Sequence, residues 1–241
     1  MEVAEHLAQL EQDGARLASV ATSLDAEVPP CPQWTVRDLV THIGGVHRWA
    51  TSIVRDRLDH DPARRGEDLA TPGSRDPVEW FREGHTALLD VLRGADPDLQ
   101  CYTFLPAPSP LAFWARRQAH ETAIHRADAE SATGAITPFP TSFATDGIDE
   151  MLTGFAARRR SFSRVDGPRT LALRPTDADG WTVTLAPDGV HPESGAGTAE
   201  ATITGTASDL YLWVWNRPAT AVVDGDHDVV ALWQHVRVRW S

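Results

Sequence analysis

Lysine is missing from this sequence altogether; all 22 basic residues are arginine. With no lysine there can be no amine nucleophile, Schiff base or phosphate-loop lysine, which excludes a P-loop enzyme. Cysteine is almost as scarce. Cys31 and Cys101 stand 70 positions apart and form no C-x-x-C pair, so neither a disulfide framework nor a thiolate zinc site is expected. They read as two buried or semi-buried thiols, and any metal would have to be held by His, Glu and Asp. No apolar run approaches the roughly 18 residues of a membrane span. The opening Met1-Glu2-Val3-Ala4-Glu5-His6 is acidic and lacks the basic-then-apolar order of a secretory signal, so a cytoplasmic location is expected. Positive charge is in deficit too. With 34 acidic against 22 basic residues the net charge is -12, which disfavours nucleic acid and anionic membranes as partners.

What is present is a chain of 241 residues, 41% of them hydrophobic, enough for a sizeable core and one or two domains. The first part reads as helices. Residues 2–23 carry Val3, Leu7, Leu10, Leu17 and Val20, mostly at helical spacing. After the break at Pro29-Pro30-Cys31-Pro32, Thr35 and Asp38 resemble a capping box and predict a helix over 36–58. Asp76-Pro77 opens a third helix, to about 94, because proline suits the first helical turn. Beyond Pro106, Pro108 and Pro110 a fourth runs over 111–131. That count suits a four-helix bundle. Gly134 to Pro140 reads as a linker, followed by a helix over 141–160 whose end, Arg158–Arg160, is a solvated basic run. Past residue 168 the pattern becomes short β-rich runs, 170–173, 181–185 and 199–204, with turns at Asp179-Gly180 and Asp188-Gly189. Helices are expected over 208–216 and 228–236, the latter followed by Val238-Arg239-Trp240. The fold class is thus α+β in two domains, a helical one over 1–160 and a small α+β one over 168–241.

The fourth helix holds the densest chemistry: Arg116-Arg117-Gln118-Ala119-His120-Glu121-Thr122-Ala123-Ile124-His125-Arg126. His120-Glu121…His125 looks like the zinc-protease pattern H-E-x-x-H but has one residue too many. Five residues turn a helix by about 140° beyond a full circle, so His120 and His125 cannot clasp one ion. Glu121 and His125, four apart, lie on one face and can supply two corners of a metal site. A catalytic site usually takes three protein ligands. His42, beside the apolar face of the second helix, can project toward that pair in an antiparallel bundle. His47 points elsewhere and reads as a surface residue, and His85 has no adjacent apolar run. Spacing leaves two plainer readings open: His42 as a core histidine, and Glu121–His125 as a surface hydrogen bond. Arg117, one turn before Glu121, could orient its carboxylate; it and Arg126 otherwise read as surface arginines, and Trp49 as core.

Two segments, Trp34-Thr35-Val36-Arg37-Asp38-Leu39-Val40-Thr41-His42-Ile43 and Arg117 through Glu130, resemble the hallmark segments of the mycothiol-dependent maleylpyruvate isomerase family. The resemblance covers nearly the whole chain, including Asp209 to Pro218. It implies a DinB-like metal-binding four-helix bundle followed by a small domain like sterol-carrier proteins. It implies His42, Glu121 and His125 as metal ligands, zinc as the usual metal, and mycothiol as a thiol cofactor binding the metal through sulfur. It also places Arg217 facing the active site as a catalytic and cofactor-binding residue, although an arginine ending a helix also complements the dipole. A metal-activated thiolate would then attack a small electrophile, as an isomerase acting on a maleyl double bond or as an S-transferase. The alternatives are a DinB-like hydrolase using metal-bound water, and a non-enzymatic, metal-stabilised module binding an apolar ligand.

Overall fold

The computed structural model describes residues 1–62, 70–158 and 165–236. Arg159, Arg160 and Val238-Arg239-Trp240, each singled out above, lie outside the described residues. The chain divides into two compact units, the first spanning Met1–Thr137 and the second beginning at Pro138.

The first unit contains four helices: α1 (Val3–Val20), α2 (Val36–Asp56), α3 (Pro77–Arg93) and α4 (Pro110–Ser131). Each starts where the local chemistry satisfies the first exposed amides. Glu2 and Glu5 form a capping box before α1, and Thr35 and Asp38 form the predicted one before α2. The Asp76 carboxylate accepts from the Val78 and Glu79 amides ahead of α3. The Ser109 hydroxyl accepts from the Ala112 amide ahead of α4. Loss of such a cap costs about 1 kcal/mol.

Side-chain contacts fix the helix directions. His6 meets His120, Asp13 meets Arg126 and Arg16 meets Glu130, so α1 and α4 run parallel. His42 meets His125 whereas Trp49 meets Trp114, so α2 and α4 are antiparallel. Around the bundle the order is α1–α4–α2–α3. Leu17, Val36, Leu39, Val40, Ile43, Val46 and Phe81 belong to its apolar core. Two glycines allow close approach: a Cβ on Gly14 would lie 2.2 Å from the His85 ring, and one on Gly44 2.5 Å from Trp80.

Helix α4 departs from the usual amphipathic pattern. Nearly every residue from Phe113 to Glu130 is buried, charged ones included. The cost of removing those charges from water is offset by pairing within the bundle. Arg126 donates through Nε to Asp13 Oδ1 at 3.0 Å and through NH1 to Glu130 Oε2 at 2.7 Å. Arg117 donates to Glu121 Oε2 at 2.9 Å.

The second unit opens with α5 (Thr141–Asp149), which continues into a π turn (Glu150–Phe155) and a 3-10 turn (Ala156–Arg158). A five-stranded sheet follows, with β1 (Arg169–Pro175), β2 (Trp181–Ala186), β3 (Gly189–Ser194), β4 (Ala201–Gly205) and β5 (Val222–Gly225) in the order β3-β2-β1-β4-β5. Only β1 and β4 pair in parallel. Helices α6 (Ala207–Val214) and α7 (His227–Trp233) complete the unit. Leu171, Leu173, Val183, Leu185, Ile203, Leu210 and Tyr211 are fully buried. The Trp233 indole donates to the Val214 carbonyl at 3.0 Å, which ties α7 to the end of α6. The expected α+β class and four-helix bundle are therefore both present. Strands β3 and β5 are additions. Both are edge strands, β3 interrupted by Pro192 and β5 only four residues long, so neither carries a clear alternating signal.

Candidate metal centre

Glu121 and His125 sit one turn apart on α4, and α2 brings His42 against them. The His125 Nε2 to Glu121 Oε1 distance is 3.3 Å, and His42 Nε2 lies 3.8 Å from the same oxygen. One ligand atom from each of the three lies within 4.8 Å of the others. The imidazoles meet edge to face with centroids 5.2 Å apart. Ligand atoms around a tetrahedral divalent ion at ~2 Å stand roughly 3.3 Å apart, so this donor set fits zinc or a similar ion after a small inward movement of His42. Two imidazoles and one carboxylate are also a donor set with the right chemistry for such an ion.

The site is nearly closed to solvent: the side chains of His42, Glu121 and His125 are 16%, 6% and 10% exposed. Burial pushes the Glu121 carboxyl up, but the adjoining His125 and His42 imidazoles and the charge of Arg117 outweigh it and hold it well below the usual carboxylate range. Burial likewise pushes the His125 imidazolium down. The Asp128 and Glu121 carboxylates outweigh that, and its pKa rises to about 9. Because Arg117 occupies Glu121 Oε2, Oε1 is the oxygen left facing the two histidines.

The loop between α1 and α2 covers this face. It is folded by bonds from the Cys31 amide to the Val28 carbonyl (2.9 Å) and from the Trp34 amide to the Cys31 carbonyl (3.0 Å). Gln33 takes a left-handed φ of 74° between them. The turn sets the Trp34 ring 5.0 Å from His42 and 6.3 Å from His125, nearly parallel to the latter. It also brings Cys31 Sγ to 3.5 Å from Asp128 Oδ2. Sequence reasoning overlooked Trp34 as a site residue; its place in the Pro-rich break just before the capping box was the available signal.

A family model for the mycothiol maleylpyruvate isomerase N-terminal domain matches residues 6–130, and one for the C-terminal domain of the same enzymes matches residues 142–232. The chain belongs to the mycothiol maleylpyruvate isomerase family. A crystal structure of the mycothiol-dependent maleylpyruvate isomerase superposes with a TM-score of 0.65 at 13% identity, covering 94% of this chain and 95% of that one. A histidine-to-alanine mutant of the isomerase superposes with a TM-score of 0.62 at the same identity and coverage. At that identity the likeness is one of fold. No curated protein sequence matches significantly.

In this member of the maleylpyruvate isomerase family, three sequence expectations need correction. His47 is fully buried, because α4 sets the Thr122 hydroxyl 2.9 Å from its Nε2 and α3 packs Phe81 and His85 against its ring. Arg117 and Arg126 are buried, at 1% and 2% exposure, as partners of buried carboxylates. Trp49 packs against the apolar core as expected and is partly buried, its indole donating to Asp61 Oδ1 at 2.8 Å. His85 is buried beside His47 and Phe81, and His120 packs edge to face on His6 rather than joining the triad. Cys31 and Cys101 are half-buried and form no disulfide. Arg217 belongs to the second unit. It follows Asn216, which takes a left-handed φ of 56° to end α6, and its guanidinium donates to the Trp215 carbonyl at 3.0 Å.

Proposed function

We propose that this chain is a metal-dependent, mycothiol-using enzyme that acts on a small electrophile, as a maleylpyruvate-type isomerase or an S-transferase. The observation that carries the reading is the convergence of His42 Nε2, Glu121 Oε1 and His125 Nε2 in a bundle of this family. These three side chains would hold the ion, zinc by family likeness. The bound ion would supply a low thiol pKa, and hence a thiolate cofactor near neutral pH. The protein's own residues would do the positioning. Arg117 keeps the Glu121 carboxylate turned so that Oε1 is presented to the site. Trp34 forms an apolar wall over the two imidazoles, limiting water beside the thiol and favouring an unsaturated or apolar substrate portion. Arg217 is assigned as the counter-charge for an anionic cofactor or substrate group. No helix among the described residues is long and apolar enough to cross a membrane, in keeping with a small-molecule enzyme of the cytoplasm, with no nucleic-acid partner expected from its charge.

The test is metal analysis together with turnover of maleylpyruvate and of halogenated or epoxide electrophiles, with and without mycothiol. Stoichiometric metal, its loss in His42→Ala, Glu121→Ala and His125→Ala, and strict thiol dependence are expected. Arg217→Ala is expected to cut turnover while leaving metal content intact. Turnover that persists without any thiol would point instead to a hydrolase using metal-bound water. Absence of metal would leave a non-enzymatic binding module.

A further inference from the structure

The triad accounts for one nitrogen of His125; the other faces a buried acid that the proposed function leaves unused. His125 Nδ1 lies 3.0 Å from Asp128 Oδ2. Asp128 is three residues further along α4 and has no solvent exposure at its side chain. An i,i+3 pair shares one helix face, so the backbone itself sets the distance. The same carboxylate oxygen is approached by the Cys31 thiol at 3.5 Å, which fastens the α1–α2 loop to the acid from outside.

We propose that Asp128 is a positioning residue of the metal centre, acting through His125. With Nδ1–H donating to Asp128, the ring is oriented so that Nε2 is the nitrogen turned toward Glu121 Oε1 and His42, and Nε2 is the one left to give its lone pair to an ion. Rotation of the ring about χ2 would break that bond at a buried carboxylate, so Asp128 fixes both the protonated nitrogen and the ring plane. Arg117 performs the matching task on Glu121, and two of the three ligands are thereby locked by side chains from their own helix. The inference rests on the metal reading above.

The test is metal affinity of the full chain, stripped of metal and titrated with Zn(II) and Co(II) against a chromophoric chelator. Asp128→Ala should weaken binding about 10- to 100-fold, the usual consequence of removing such an outer partner. Asp128→Asn, whose amide carbonyl still accepts from Nδ1–H, should retain more affinity than Asp128→Ala. The Co(II) visible spectrum of Asp128→Ala should change as the ring loses its fixed orientation. The inference is overturned if Asp128→Ala and Asp128→Asn bind within about twofold of the parent while His125→Ala loses binding; the metal site would then stand without it. It is equally overturned if both variants only lower the melting temperature of the metal-free protein and leave affinity intact. Unchanged affinity in His125→Ala would remove the metal reading itself.

Discussion

At the scale of single residues, the buried arginines of α4 divide into two kinds. Arg126 neutralises Asp13 and Glu130 and also donates to the Thr137 carbonyl at 2.6 Å, none of which belongs to the His42, Glu121 and His125 cluster. Burial still leaves the Asp13 carboxyl above its usual range despite that guanidinium, so the balance there is narrow. Arg126→Ala should destabilise the fold by about 3–5 kcal/mol, since it strands buried carboxylates; urea unfolding would measure it, and metal affinity should stay within a few-fold of the parent. Arg117→Ala should behave differently, lowering stability and metal affinity together, because its partner is Glu121. Equal metal affinity in the two variants would contradict the role given to Arg117. Arg117→Lys is not a conservative change here: an ammonium lacks the planar, rigid set of donors that a guanidinium presents to a carboxylate.

At the scale of elements, helix contact is governed by glycines as much as by apolar faces. Gly14→Ala gains up to about 1 kcal/mol of helix propensity, yet the added Cβ would stand 2.2 Å from a His85 ring packed against His47 and Phe81. Overpacking of this kind costs about 1–3 kcal/mol, so net destabilisation is expected in thermal unfolding. Pairing it with His85→Ala should make the two changes less than additive, and simple additivity would count against the clash. The four bundle helices were legible because their signals are local: apolar spacing for α1, Thr35 with Asp38 for α2, Asp76-Pro77 for α3, and the proline-rich break ending at Pro110 for α4. The edge strands β3 and β5 were not, since strand pairing is a non-local property and Pro192 and Gly225 interrupt whatever pattern the segments have. The exposure of Arg117 and Arg126 was also misjudged. Arginine ordinarily marks the solvent face of a helix, and only the carboxylates of Glu121, Asp13 and Glu130 make these two interior.

At the scale of the whole molecule, acid should weaken the fold through two imidazoles that the proposed chemistry does not use. Burial and the nearby His85 hold His47 well below its usual pKa, although the charge of Glu121 works the other way and those of Arg48 and His125 add to the depression. Burial lowers His85 from 6.5 to about 4, against the backbone and charge of Glu11 and with Arg93 assisting. In both cases the unfolded chain binds a proton that the folded chain refuses, so stability falls as pH drops below about 6.5. His85 alone should remove about 3 kcal/mol by the time pH reaches its folded value. Denaturation midpoints between pH 7 and 4 would measure this, and His85→Asn should flatten the slope by close to one proton; an unchanged slope would rule His85 out. The sequence by itself determined the class of fold, the starts of the bundle helices and the Glu121–His125 pair, because capping and the helical repeat act over three or four residues. Tertiary structure decided what joins that pair. It sets His42 across from it, turns His47 into the core, lays Trp34 over the rings and seals Asp128 behind His125, since these meetings depend on which helices pack together and how their buried charges are neutralised.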